Sequence, residues 1–367
     1  MDRRHFLATL ALTSACSARR ARIPTPAAPF PARRLPRVNV SNDRIIRTVV
    51  GLRPFRPSGF VVKAEALEGK TIVHNYGHGG GGVTLSWGTA HLAVQLALPT
   101  AATRMAVLGA GAVGLATARL LQEHGVQVTI YAKDLPPDTT SNIAGAQWFP
   151  FSVYDHATPA FLSQFVEASR FAYRRYQLMI GEYYGIRWMP NYLLSNEPVI
   201  DAGLISKESS IGDLIPEIRD LAPAEHPFPF PYVRQFDTMF IQPSIYLESM
   251  VREFRIGGGT ILIQEMRDLR DVLALPQSVI VNCTGLGAKA LFNDQELTPI
   301  KGQLTVLLPQ PEIEYATEPP GLYMFPRRDG ILLGGTHERG NWDMQPNREA
   351  EARIVAGHAA VFRGMRA

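Results

Sequence analysis

The residues of clearest chemical meaning in this 367-residue chain are the glycines of Gly109-Ala-Gly111-Ala-Val-Gly114. They follow the short apolar run Met105 to Leu108 and precede Leu115 to His124, where apolar positions recur at helical spacing. Between a strand and a helix each glycine has its own use. Gly109 permits the tight turn, Gly111 lets backbone approach a pyrophosphate, and Gly114 allows the helix to pack on the strand. The helix N-terminus adds free N–H groups and the positive end of its dipole, with Ala110 and Val113 completing the loop. Val126 to Tyr131 then alternates as a second strand, followed by Lys133 and Asp134. Asp134 stands about 20 residues past the last glycine, where a carboxylate holds a ribose hydroxyl. Strand, glycines, helix, second strand and acid in register predict dinucleotide binding. The fingerprint alone leaves FAD and a nicotinamide dinucleotide open. Downstream, Thr139, Thr140 and Ser141 offer hydroxyls to phosphate. The small residues through Gly145 and Ala146 to Gln147 and Trp148 leave room for a flat ring, or form a polar loop leading to a core Trp.

Other segments carry less local meaning but form a set. They are residues 130–138, Ala144 to Trp148, Asn282-Cys-Thr284-Gly285, Lys301-Gly-Gln303, and Gly334 to Trp342 with its Gly-Gly-Thr and Gly-Asn-Trp ends. To these belong Gly51-Leu-Arg53-Pro54 and His74-Asn-Tyr-Gly-His-Gly79-Gly80 through Thr84, with Trp87-Gly88. Together they resemble the FAD-dependent D-amino-acid oxidase and D-aspartate oxidase family. In that family the last two segments form the C-terminal signature, whereas here they precede the fingerprint strand. Residues 45–97 thus resemble the family's last quarter and residues 105–362 its first three quarters. This order implies a circular permutation, with old ends joined through Pro99 to Arg104 and new ends near Arg37 and Ala367. A linker of about six residues spans at most roughly 20 Å, so the helix around His91 to Ala97 is expected to end near the first fingerprint strand. Exchange of segments between two chains of a homodimer satisfies the same contacts.

The resemblance implies roles for particular residues. Arg53 grips a substrate carboxylate, a task suited to a planar guanidinium, and the Tyr323 hydroxyl holds the same group. The Gly80 carbonyl receives the substrate amine. Gly79, Gly81 and Gly82 let backbone approach the flavin, beside Thr284 and Gly285. A helix starting near Val83 and Thr84 points N–H groups at the flavin C2 carbonyl, favouring negative charge on the reduced ring. His337 faces the side-chain pocket, where a protonated histidine favours acidic or polar substrates. Pro319 stands where some relatives have a lid tyrosine, and Gly81 replaces a bulkier residue, so the substrate range departs from the family pattern. No acid or base is needed: with the carboxylate fixed, Cα–H is aimed at flavin N5.

The elements that must position these groups form an α/β fold. A Rossmann-type FAD-binding domain (residues 104–150 and 241–295) is joined to a substrate domain on a mixed or antiparallel sheet (151–240 and 296–362). Residues 38–98 complete both sites. Pro159 to Tyr184 reads as an amphipathic helix, and Arg348 to Arg366 as another. Strands are expected over Phe254 to Gln264, Val279 to Cys283, Leu304 to Leu308, Gly321 to Phe325 and Ile331 to Gly335.

The formal charge of +4 gives little support to a nucleic-acid partner, because Arg3, Arg4, Arg19, Arg20, Arg22, Arg33, Arg34 and Arg37 crowd the N-terminus. There Arg3-Arg4, then Leu7 to Thr13, then small residues to Ala18 have the order of a cleavable signal of twin-arginine type, too short to span a bilayer. Periplasmic or other export follows, with a cytoplasmic location as the alternative. Residues 1–37 are thus a signal and Pro/Ala/Arg spacer. Ala15-Cys16 is a weak lipidation site, and with Cys283 the only other cysteine no disulfide framework exists. No metal-ligand pattern stands out. Three functions fit: an oxidase passing electrons from a D-amino acid to oxygen, a dehydrogenase passing them to a membrane carrier, and a non-catalytic flavin- or amino-acid-binding protein.

Overall fold

A computed structural model describes residues 35–145, 147–199, 206 and 208–366. The export signal, Cys16, most of the spacer and Ala146 lie outside the described residues. In chain order, β1 (Ile45–Phe55), β2 (Val61–Leu67) and β3 (Lys70–Tyr76) lead into α1 (Gly82–Ala97). Next come β4 (Arg104–Leu108), α2 (Ala112–Glu123), β5 (Gln127–Ala132), the single turn α3 (Thr140–Ile143) and α4 (Pro159–Gln177). Then follow β6 (Ile186–Ser195), β7 (Arg219–Leu221), β8 (Tyr232–Ile241), α5 (Pro243–Ile256), β9 (Thr260–Ile263) and α6 (Leu269–Leu273). The remainder is β10 (Val279–Asn282), α7 (Ala288–Leu291), β11 (Thr298–Leu307), β12 (Ala316–Glu318), β13 (Tyr323–Arg327), β14 (Gly330–Gly334), β15 (Glu338–Arg339) and α8 (Arg348–Arg363).

Two sheets result. One has the order β2-β3-β10-β4-β5-β9, parallel from β3 to β9 with β2 antiparallel at its edge. Its middle strand β10 is buried along its whole length between parallel neighbours. That is why Val279 to Asn282 reads as an unbroken apolar run rather than an alternation. The other sheet runs β1-β11-β14-β13-β12-β6-β8-β7, with β15 also pairing β11. It is mixed, because β12 and β6 pair in parallel and the rest antiparallel. The stretch ahead of the fingerprint feeds both sheets: β1 pairs β11 from Ile45↔Leu307 to Phe55↔Thr298, and β3 pairs β10.

Residues 98–103 alone connect α1 to β4. Helix α2 begins behind Gly111 and ends at Glu123, and Gly125, two residues on, takes φ +78, a left-handed residue suited to follow a helix C-terminus. Helix α1 is apolar on nearly every side because it is enclosed, with Leu85, Trp87, Ala90 and Ala93 in the same buried cluster as Met105, Leu115 and Phe165.

Three boundaries differ from the sequence expectation. Residues 254–256 belong to α5 and not to a strand, because Phe254 continues the buried face of Tyr246, Leu247 and Met250. Gly258 at φ +79 then turns the chain into β9. Helix α4 stops at Gln177 instead of Tyr184, since Gly181 and Ile186 exchange backbone hydrogen bonds of 2.9 and 3.2 Å that replace a further helical turn. Helix α8 ends at Arg363. Residues 159–177, grouped by sequence with the substrate sheet, bury Phe161, Phe165, Ala168, Ala172 and Tyr176 in the core of the parallel sheet. Phe165 is wholly enclosed there, 5.6 Å from Tyr154 and 6.3 Å from Phe161 between ring centres. Phe165→Ala is therefore expected to cost roughly 3–5 kcal/mol in urea unfolding of the intact protein. A loss below about 0.5 kcal/mol, the range of surface substitutions, counts against this placement of α4.

Candidate active site

A cavity of about 1620 Å³ opens where the parallel strands end and reaches the face of the larger sheet. It exceeds the roughly 300–1,000 Å³ of a drug-sized ligand pocket, and it lies where open α/β sheets bind ligands, beyond the carboxyl ends of their strands. Gly109 turns at φ +98, and a Cβ on Gly114 would stand 2.0 Å from the Gly109 carbonyl oxygen. Close packing of α2 on β4 thus requires glycine at 114, which touches the strand turn and does not line the cavity. Gly109, Ala110, Gly111 and Val113 do line it.

Ser141 accepts the N–H of Ala112 at 3.0 Å, tying α3 to the first turn of α2 while keeping its own O–H to donate. Lys133 and Asp134 stand exposed at the rim, 3.8 Å apart. Thr140, Thr284 and Gly285 complete this part of the wall, while Gly145 and Gln147 line the cavity nearer the larger sheet, against Phe325 and Glu318. These groups match a pyrophosphate on the α2 N-terminus with a ribose beside the acid.

The glycine loop enters from the other side. Gly79 at φ +56 and Gly80 press on residues 151–153: their added Cβ atoms would lie 2.1 Å from the Ser152 oxygen and 2.5 Å from the Phe151 oxygen. Gly79, Gly80, Gly82, Val83 and Thr84 line the cavity, whereas Gly81 does not. Gly81 is buried, with its Cβ position 2.8 Å from Val153 Cγ2. Its smallness therefore serves packing and not approach to a cofactor. The first turn of α1 has no side-chain cap, so its N–H groups remain available. Thr84 spends its hydroxyl on the carbonyls of Gln147 and Phe149, at 3.3 and 3.2 Å, and so clamps that segment to α1. His78 donates to or accepts from Thr89 at 2.8 Å, and burial pushes it down to about 3, keeping it neutral. Burial likewise pushes the Cys283 thiol up to about 12, which removes it as a nucleophile.

Arg53 and Tyr323 meet on the larger sheet. In the ladder Gly51 faces Gly302, and Tyr323 and Leu304 both face Gly334. The Arg53 guanidinium lies across Gly302, 2.7 Å from where a Cβ would stand. The Tyr323 ring lies across Gly334, 2.0 Å from its Cβ position. Arg53 Nη2 donates to the Tyr323 hydroxyl at 3.3 Å, and Arg53 Nη1 is buried with no protein acceptor. A buried charged donor without a partner is costly, and its natural complement is an anion. Gly80 and His337 border the same space. Partial burial, then the charges of Arg53 and Arg339, lower the His337 pKa against the opposing pull of Asp155. This favours the neutral imidazole over the protonated form that the side-chain-pocket role expects.

Three groups escaped the sequence reading. Gly302 and Gly334 sit inside motifs, yet only strand register reveals them as the beds of Arg53 and Tyr323. Glu318, on the cavity wall, accepts from Gln147 Nε2 at 2.7 Å, and burial raises its pKa. Nothing local marks it, since Thr-Glu-Pro-Pro reads as a strand end. Among the described residues no cluster of three or more His, Cys, Asp and Glu is arranged for a metal ion, and no helix is long and apolar enough to cross a membrane.

Comparison with known proteins agrees with this geometry. The chain is 30% identical over 262 residues to a D-amino-acid oxidase of Streptomyces coelicolor, covering 70% of this chain and 76% of that protein. It is 27% identical over 264 residues to a human D-aspartate oxidase, covering 70% and 75%. Its fold is similar to that of a glycine oxidase from Bacillus cereus, with a TM-score of 0.52 and 16% identity, covering 71% and 78%. The family described as FAD dependent oxidoreductase matches residues 27–96 and 104–366. FAD is accordingly the cofactor, and this chain belongs to the FAD dependent oxidoreductase family.

Proposed function

We propose that this protein oxidises a D-amino acid to its imino acid, with oxygen as final electron acceptor. The observation that carries the reading is the Arg53 guanidinium bedded on Gly302, with a buried unpartnered Nη1 beside the Tyr323 hydroxyl. A planar carboxylate accepts from Nη1 and from the tyrosine O–H together, which fixes its plane. The Gly80 carbonyl then accepts an N–H of the α-amine, so two anchored ends leave only the orientation of Cα–H to be set. FAD, when bound, supplies the two-electron acceptor. The Cα–H bond breaks with its electron pair, the amine gives up a proton, and the imino acid hydrolyses to a 2-oxo acid and ammonia. Oxygen takes the two electrons with two protons as hydrogen peroxide. The N–H groups at the uncapped start of α1 favour the negative charge that accumulates. The curated relatives named D-amino-acid and D-aspartate oxidase support the choice of substrate class.

The order of the segments is read as a circular permutation. Its support is that the family match breaks between residues 96 and 104, where the short link joins α1 to β4. The Arg3-Arg4 signal supports export of the folded, loaded protein. The direct test is anaerobic mixing of the yellow protein with D- and L-amino acids while the flavin absorbance is followed. Bleaching by D-enantiomers and return of colour in air are expected, and a spectrum that no amino acid changes defeats the proposal. Arg53→Ala should lower kcat/KM by about 100-fold, the worth of a buried charge-assisted pair, with the flavin retained. Turnover within threefold of the parent removes Arg53 from the site. Gly111→Val, which crowds the pyrophosphate bed, should instead yield a folded protein depleted of flavin. Full flavin content in that variant contradicts the cofactor placement.

A further inference from the structure

Resting on that reading, we infer that Glu318 selects substrates whose side chain ends in a cation. Thr317 of β12 pairs with Met324 of β13, so the next pair outward is Glu318 with Tyr323. Residues opposed in an antiparallel pair point to the same face, with Cβ atoms about 4.5–5.5 Å apart. The turn between them is tight, closed by the Leu322 N–H on the Pro319 carbonyl at 2.9 Å with Gly321 at φ +68. The Glu318 carboxyl therefore emerges beside the tyrosine that holds the substrate carboxylate, on the wall of the same cavity.

Its hydrogen bonding is incomplete. Oε1 accepts from Gln147 Nε2 at 2.7 Å, and no protein donor reaches Oε2 among the described residues. The other end of the same amide, Gln147 Oε1, is buried and receives no hydrogen bond either. Two acceptors thus lack donors at one point of the wall, and an ammonium or guanidinium group brings three or five donors and a positive charge. Partial burial, then the charges of Arg53 and Arg339, favour a neutral His337, which adds no competing cation to the cavity. An acidic side chain would meet the carboxyl of Glu318, and an apolar one would leave both acceptors unsatisfied. A carboxyl raised by burial ionises when the cation arrives. The substrate class is then a basic D-amino acid such as D-lysine, D-ornithine or D-arginine.

Matched pairs test this: D-lysine against D-norleucine, and D-ornithine against D-norvaline, each differing by the terminal amine. The readout is kcat/KM for anaerobic flavin bleaching by the whole protein. The basic member of each pair should be preferred by about tenfold or more, and Glu318→Gln should reduce that ratio by about tenfold or more. A preference for the neutral member or for D-aspartate overturns the inference, as does a ratio unchanged in Glu318→Gln. Should that variant fail to hold flavin, the ratio in the parent still decides. Bleaching by neutral D-amino acids alone defeats this inference and spares the oxidase reading. Bleaching by none defeats both.

Discussion

A half-buried guanidinium with one nitrogen held out of water and unpaired is the constraint on which the rest of this structure turns. Arg53 gives Nη2 to Tyr323 and leaves Nη1 without an acceptor. Isolated, such a charge would swing toward solvent, because burying it unpaired costs several kcal/mol. It is kept in place by shape. Strand β1 delivers Arg53 into a ladder with β11, where Gly302 provides a bed that any Cβ would fill. Two strands away Gly334 does the same for Tyr323. The four strands β1, β11, β14 and β13 thus act as a rigid frame whose missing side chains matter as much as those present. The cost of the unpaired donor is sustained by the ladder, an arrangement suited to holding an anion in one orientation.

That frame would be inert without the parallel sheet, and residues 45–97 join the two. Strand β1 brings Arg53 to the larger sheet, β3 completes the parallel one, and α1 begins between them with its uncapped turn facing the cavity. Thr84 fastens the start of α1 to the carbonyls of Gln147 and Phe149, so the glycine loop and the segment bearing Gln147 are positioned against each other. Whatever the order of the segments along the chain, these contacts are long-range. Nearly all of them depend on a stretch that lies in sequence ahead of the fingerprint it serves.

Local physics was legible in the sequence, and register was not. The fingerprint was readable because turn, helix start and strand ends are each dictated by residues within a few positions. Gly109 turns and Gly114 packs as expected, the latter by touching backbone and not the cavity, and Gly111 lines the cavity. Arg53 and Tyr323 came from family resemblance, since an arginine before proline and a strand tyrosine mean nothing singly. The errors share one cause. Gly81, read as a flavin contact, is a packing residue against Val153, and a glycine run cannot say which of its members faces which neighbour. Phe254 ends a helix and does not begin a strand, because its burial with Met250 is a tertiary fact. For His337, expected to favour acidic or polar substrates when protonated, the sequence does not tell that partial burial and then Arg53 and Arg339 lower its pKa.

The same limit explains why the cavity's charge distribution could not be foreseen. Along the sequence Arg53, His337 and Glu318 are a cation, a titratable ring and an acid with nothing to relate them. Folded, they border one space, where Arg53 adds to the burial that favours a neutral His337, and the neutral ring leaves Glu318 as an acid facing no histidine cation. Glu318 and Tyr323 stand on opposite sides of a four-residue turn, so acid and phenol are set by the register of a single antiparallel pair. One residue of slip would turn Glu318 to the far face of the sheet. The selectivity proposed for Glu318 is in this sense a property of strand pairing, encoded by Gly321 and the two prolines that shape the turn more than by the acid itself.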